Sequence, residues 1–103
     1  MAETVQPIRP TRLMVAEGSI LLLPRHIKLR HDAGRDAWVL LAPERVFKPD
    51  DTAVEVLKLC DGKRTVGDIA SDLAERFQAP RDVILADIVQ MLQDLADKGV
   101  VKS

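Results

Sequence analysis

The stretch Leu57-Lys58-Leu59-Cys60-Asp61-Gly62-Lys63-Arg64-Thr65-Val66-Gly67-Asp68-Ile69 restricts the fold more than any other part of the chain. Ala53, Val56, Leu57 and Cys60 fall on one helical stripe, and Gly62 supplies the left-handed residue that closes such a helix. Thr65 then opens a second helix, with Asp68 three residues on in a variant of the capping box. Two helices this close in the chain predict a helix-turn-helix. Asp50 or Asp51 caps the first helix, where a carboxylate suits the positive end of the helix dipole. In the second, Ile69, Ala70, Leu73 and Phe77 repeat at helical spacing. Gln78-Ala79 is the break, and Pro80 belongs in the first turn of a third helix that runs to Lys98 and is closed by Gly99. Val100-Val101 continue as an extended tail that packs back.

Upstream the period changes from helical to alternating. Ile27-Lys28-Leu29-Arg30-His31 alternates apolar with polar, as a half-buried strand does. Trp38-Val39-Leu40-Leu41-Ala42 is nearly continuous and predicts a central, covered strand. Arg45-Val46-Phe47-Lys48 is a short third strand, stopped by Pro49 because proline cannot donate to a ladder. The expected fold class is α+β, winged helix-turn-helix-like: three short antiparallel strands followed by three helices, with the third strand at an edge. Residues 1–24, interrupted by Pro7, Pro10 and Gly18, read as a flexible N-terminal arm or linker. The alternative is that Ile20-Leu21-Leu22-Leu23 adds a strand or packs on the domain. Residues 25–103 form the folded domain.

A chain of 103 residues makes one domain and buries roughly 60–68% of its unfolded surface, enough for a core without staples. Aromatic content of 3% makes that core aliphatic. Cys60 is the one cysteine, so neither an internal disulfide nor a cysteine zinc cluster is possible. Apolar runs such as Ile20 to Leu23 are far below the ~20 residues a membrane span needs. With no apparent secretory signal, these features favour a cytoplasmic protein.

A winged helix raises the question of DNA. Charge argues against it: residues 1–48 carry a net +3 and residues 49–103 a net −4, and the helices lie in the acidic part. The third helix sets Arg81 and Lys98 against Asp82, Asp87, Asp94 and Asp97. Phosphate would repel it. Lys28, Arg30, Arg45 and Lys48 do not form the dense basic patch that nucleic acid requires.

The third helix is apolar over an unusual width. At about 100° per residue, Ile84, Leu85, Ile88, Val89, Met91, Leu92, Leu95 and Ala96 fill an arc of roughly 160°, where one core needs about 100°. Ile88, Leu92 and Leu95 sit at the centre. One flank, either Leu85-Val89-Ala96 or Ile84-Met91, exceeds the need of a single core. One explanation is packing against both the sheet and another helix. The other is a groove between this helix and the edge strand Arg45–Lys48, into which an extended peptide adds as a new strand. In that reading Arg45, Lys48 and Arg81 steer an acidic peptide. A dimer through the same edge strand is a third reading; a monomer is expected.

Candidates for catalysis are few. Cys60 lies on an apolar stripe, where free cysteines are usually buried. His26 and His31 have no acidic or thiol cluster of metal-ligand spacing near them. No Gly-rich phosphate loop or G-x-S-x-G elbow is present. No metal and no cofactor is expected. Trp38 reads as a sheet residue packed on the helices, or as the border of a binding surface.

Trp38-Val39-Leu40-Leu41-Ala42-Pro43-Glu44, followed by Thr52-Ala53-x-x-Val56-Leu57-x-Leu59-Cys60-Asp61-Gly62-x-Arg64-Thr65, resembles the PqqD family of pyrroloquinoline quinone (PQQ) biosynthesis over about residues 25–101. The resemblance implies a peptide chaperone rather than an enzyme. It implies binding of the ribosomally made precursor peptide PqqA and its presentation to PqqE, a radical S-adenosylmethionine enzyme that cross-links a Glu and a Tyr within the peptide. It also implies a site: the peptide adds beside Arg45, Val46, Phe47 and Lys48 and lies along a helix wall among Leu85, Val89 and Leu92. Similar proteins occur fused behind PqqC, which makes an inter-domain linker one reading of the arm. Lys48-Pro49-Asp50 departs from the apolar residue and Asn-like cap expected at that junction.

Overall fold

A computed structural model describes residues 13–103. Eight elements follow in order: β1 (Ile20–Leu22), β2 (Lys28–Asp32), β3 (Ala37–Ala42), β4 (Arg45–Phe47), α1 (Asp51–Leu59), β5 (Asp61–Thr65), α2 (Val66–Phe77) and α3 (Arg81–Asp97). The α+β class and the run of three antiparallel strands into three helices are as expected. The two further strands, β1 and β5, pair with each other as a second small sheet.

The main sheet has the order β2-β3-β4 and is antiparallel throughout. Asp32 shapes the β2–β3 turn by accepting the Gly34 N–H at 3.0 Å. Pro43-Glu44 makes a two-residue hairpin, closed by the pair Ala42–Arg45, with Glu44 at φ 62°. Residues opposite one another share a face of the pleat. Leu29, Leu40 and Phe47 therefore point one way, and Lys28, Leu41 and Val46 the other. Leu40 is buried, and Leu29 and Phe47 pack against the same core as α1, α2 and α3. Strand β4 ends at Phe47, so Lys48 has already left the ladder before Pro49.

The helix-turn-helix expectation needs correction at its turn. Helix α1 starts where its cap was expected, with Asp50 accepting the Ala53 N–H at 2.8 Å. It stops at Leu59, and Cys60 turns its N–H to the Leu57 carbonyl at 3.2 Å. Gly62 has the left-handed φ of 78° but stands inside β5 rather than at the helix end. The Asp61 carboxylate bends the chain there, accepting the Lys63 and Arg64 N–H groups at 2.9 and 3.0 Å. Helix α2 has the capping box in full: Asp68 N–H to Thr65 Oγ1 at 3.0 Å and Thr65 N–H to Asp68 Oδ2 at 3.1 Å. Gln78 closes it at φ 51°. Pro80 is the N-cap of α3, one position before the first turn where it was expected.

What β5 pairs with lies in the expected arm. Residues 1–12 lie outside the described residues. From residue 13 the chain is fastened to the rest of the domain, across the expected boundary at 24/25. Ile20 and Leu22 pair with Thr65 and Asp61. Leu21 is buried. Leu22 also exchanges two backbone hydrogen bonds with Lys102, of 2.8 and 2.9 Å, which ties down the tail where Val100 and Val101 are buried. Further upstream, the Gln93 amide spans the backbone like a short strand. It donates to the Leu13 carbonyl at 2.8 Å and accepts from the Val15 N–H at 2.9 Å. Glu17 accepts the Gly67 N–H through its carbonyl and the Arg81 guanidinium through its carboxylate, at 2.8 and 2.9 Å. The alternative in which the apolar Ile20–Leu23 run adds a strand is the one the structure adopts.

Candidate functional site

Strand β4 is paired on one side only; among the described residues nothing pairs with its other edge. In a two-residue hairpin the closing pair is hydrogen-bonded and the pairs then alternate. Arg45 and Phe47 therefore direct their backbone groups to β3, and the N–H and C=O of Val46 point outward. That residue offers a donor and an acceptor to an incoming strand. The residue is 60% exposed.

Beside this edge, on the core face of the sheet, lies a cleft of about 180 Å³. Phe47, Lys48 and Pro49 form its strand wall, and Met91, Asp94 and Leu95 its helix wall. Leu40, Ala53 and Leu57 close the floor. A second hollow of about 340 Å³ opens on the other side of Met91, between the cap Asp50 and Thr52 at the start of α1 and Asp87 of α3. The rim is thus cationic along the strand and anionic along the helices. The Arg45 guanidinium lies 5.6 Å from the Phe47 ring centroid, which holds the cation over the mouth.

The four strand residues, Arg45, Val46, Phe47 and Lys48, are brought together at the edge. The three expected helix residues are not on the cleft. Leu92 is fully buried at 0% exposure, and Leu85 is half-buried against the core. Val89 lies on the opposite flank of α3, facing a hollow of about 690 Å³ that it shares with Met14, Val15 and Gln93. Gln93 holds the N-terminal segment beside this flank of α3, where Met14 and Val15 share the hollow with Val89. The flank left open towards β4 is the other one. Met91 was visible in the sequence as part of the Ile84-Met91 alternative; Asp94 had no signal. Arg81 is not available for steering, because its guanidinium is bound to Glu17, Ser71 and the Gly67 carbonyl at 2.9, 2.7 and 3.1 Å.

Chemistry at the other candidates is suppressed. Cys60 is buried, and burial together with the neighbouring Asp61 charge pushes its thiol up to about 12. Too little thiolate exists near neutral pH for attack. His31 meets Asp36 on the surface at 3.2 Å. Among the described residues no group of three or more His, Cys, Asp or Glu could hold a metal ion, and no helix is long and apolar enough to cross a membrane. Trp38 borders a hollow of about 440 Å³ with Val54, Arg76 and half-exposed Phe77. The Lys58 ammonium sits 4.5 Å from its ring centroid.

An open sheet edge beside a cleft, backed by three helices, makes this an α+β domain of the winged type with room for an added strand. Residues 37–101 match the family described as Coenzyme PQQ synthesis protein D (PqqD), and the chain belongs to it. A relative from Bradyrhizobium diazoefficiens, described as a PqqA binding protein, is 57% identical over 90 residues, 87% of each chain. A bifunctional coenzyme PQQ synthesis protein C/D from Methylorubrum extorquens is 51% identical over 80 residues, which are 78% of this chain and 22% of that one. Among solved structures, the PqqD truncation of Methylobacterium extorquens PqqCD aligns with a TM-score of 0.76 at 46% identity, covering 86% of this chain and 95% of that one. It is described as a stand-alone recognition element for ribosomally synthesised and post-translationally modified peptides. PqqD from Xanthomonas campestris aligns with a TM-score of 0.57 at 36% identity, covering 86% and 99%.

Proposed function

We propose that this chain is a non-catalytic peptide chaperone of PQQ biosynthesis that binds the precursor peptide PqqA by strand addition to β4 and presents it to the radical S-adenosylmethionine enzyme PqqE. The observation that carries this reading is the outward-facing backbone of Val46 above the cleft between Phe47 and Met91. A peptide strand would take its direction and register from the backbone hydrogen bonds, and alternate apolar side chains would enter the cleft. Burial of those side chains would supply most of the affinity. The relatives described as PqqA binding proteins support the choice of peptide. The fused C/D relative supports a place beside PqqC in some chains. The peptide is made on ribosomes, so we place the encounter in the cytoplasm, with the protein as a monomer.

The helix wall of the proposed site is Met91 and Leu95, in place of Leu85, Val89 and Leu92. Arg45 and Lys48 would speed the approach of an acidic peptide more than they tighten its grip. Titration of isotope-labelled protein with PqqA tests this: amide shifts should concentrate at 45–48 and 87–95. Met91→Asp, which puts a charge in the apolar wall, should weaken binding by about tenfold or more. An unchanged spectrum at high peptide concentration overturns the proposal. The DNA-regulator alternative predicts salt-sensitive binding to duplex DNA, and exposed Asp82, Asp87 and Asp94 on α3 argue against it.

A further inference from the structure

The groove beside β4 changes charge along its length. Helix α3 turns one stripe towards it, Asp87, Met91 and Asp94, at helical spacing. Met91 borders both hollows and divides them. On the Asp94 side stand Phe47 and Lys48, and the carboxylate there is already held by the Lys98 ammonium at 2.9 Å. On the Asp87 side stand Asp50, Thr52 and Ile88, with no cation in the lining. One Asp50 oxygen accepts the Ala53 N–H. Neither Asp50 nor Asp87 forms an ion pair among the described residues, and nor do Arg45, its neighbour Glu44 in the turn, or Lys48. The groove is therefore cationic where β4 begins and anionic beyond its exit.

We infer that the groove selects a peptide segment in which a basic residue stands two positions before an apolar one, the basic side chain meeting Asp50 and Asp87 and the apolar one entering the cleft between Phe47 and Met91. The inference rests on the strand-addition reading above and gives it a register. Val46 is the residue of β4 whose N–H and C=O both face outward. An antiparallel partner residue exchanges both hydrogen bonds with it, and antiparallel pairing is the slightly stronger kind per residue. That partner shares the outer face with Val46. The peptide residue before it lies opposite Phe47 on the core face, and the next residue on that face lies further towards Asp50. Two strand residues span ~6.8 Å, and the four helical residues from Asp87 to Met91 span ~6 Å, so alternate peptide side chains fall on either side of Met91. The opposite order would set the basic side chain against Arg45 and Lys48. A metal ion is a poor occupant of the hollow, because no group of three or more His, Cys, Asp or Glu could hold one among the described residues. A lysine or arginine suits it: the aliphatic stem lies on Met91 and the charged head reaches the carboxylates. These carboxylates act on a chain that the strand edge already holds, so they choose its register and direction more than they supply affinity.

The test is a set of double-mutant cycles, read as the affinity of the full chain for PqqA by calorimetry at low salt. Asp50→Asn with Asp87→Asn removes both charges, and asparagine keeps the cap of α1. This variant should bind PqqA about three- to fivefold more weakly, a difference that shrinks as salt is added. Each Lys and Arg of PqqA is then replaced by Ala in turn. One replacement should weaken binding to the wild-type protein by a similar factor and leave binding to the variant unchanged. The apolar residue two positions after it should couple in the same way to Met91→Ala. No coupled basic residue, or one at another spacing from the residue coupled to Met91, overturns the inference; strand addition itself still stands if Met91→Asp weakens PqqA binding. Wild-type protein that fails to bind PqqA refutes the peptide-site reading and this inference with it.

Discussion

Gly62 is a position where backbone and packing make the same demand. Its φ of 78° suits glycine alone, and a Cβ there would meet Leu22 Cδ2 at 3.3 Å. Gly62→Ala should cost about 1–2 kcal/mol, read as a lower urea midpoint with an unchanged slope. The sequence marks Gly62 as left-handed but not what it serves, because the strand that needs it pairs with residues some 40 positions upstream. Cys60 is the opposite case: its place on an apolar stripe already indicates burial. With its thiol pushed up to about 12, it should resist iodoacetamide at pH 8 in the folded protein and react at once in denaturant. Rapid alkylation under native conditions would contradict its position. Gln93 carried no signal, since a glutamine on the polar side of a helix reads as a solvated residue. Its two hydrogen bonds to Leu13 and Val15 lay the N-terminal segment beside the Val89 flank of α3.

At the scale of elements, local chemistry was legible and long-range pairing was not. The Asp50 cap and the Thr65–Asp68 capping box are contained within four residues each and form as their residue types require; the Pro43-Glu44 hairpin is as short but sets Glu44 in the left-handed region. Strand β5, reading Asp-Gly-Lys-Arg-Thr, has no apolar alternation and takes its strand form from β1. Asp61 shapes this element and has a pH signature. Hydrogen bonds from the Arg64 and Lys63 N–H groups hold its carboxyl below the usual carboxylate range. A depressed folded value contributes stability above the unfolded value, near 4, that is lost as pH falls through the folded one. Asp61→Ala should therefore lower the urea midpoint at pH 6 and have a smaller effect at pH 3. An equal loss at both would mean the carboxylate charge plays no part there.

At the scale of the whole molecule, the cleft is defined by elements from both ends of the domain. The edge strand comes from the middle of the chain, the wall from α3, and the flank decision from residues 13–15 clamped by Gln93. A scan for helical period finds the wide apolar arc of α3 but cannot tell which side the N-terminal segment covers. The family resemblance names Arg45–Lys48 and a wall of Leu85, Val89 and Leu92; the first stand at the sheet edge, and the second lie off the cleft beside it. The charge division has a structural counterpart in the cationic strands and anionic helices around the cleft, an arrangement suited to orienting a chain laid between them.

Hydrogen exchange at the Val46 amide tests the central claim most directly. This N–H points away from β3 and should exchange freely in the isolated protein. Strand addition by PqqA should slow it by about tenfold or more, in step with peptide occupancy, while the Phe47 amide, already bonded to β3, changes little. Saturating peptide that leaves Val46 exchange unaltered would mean the sheet edge is not where the chain is held.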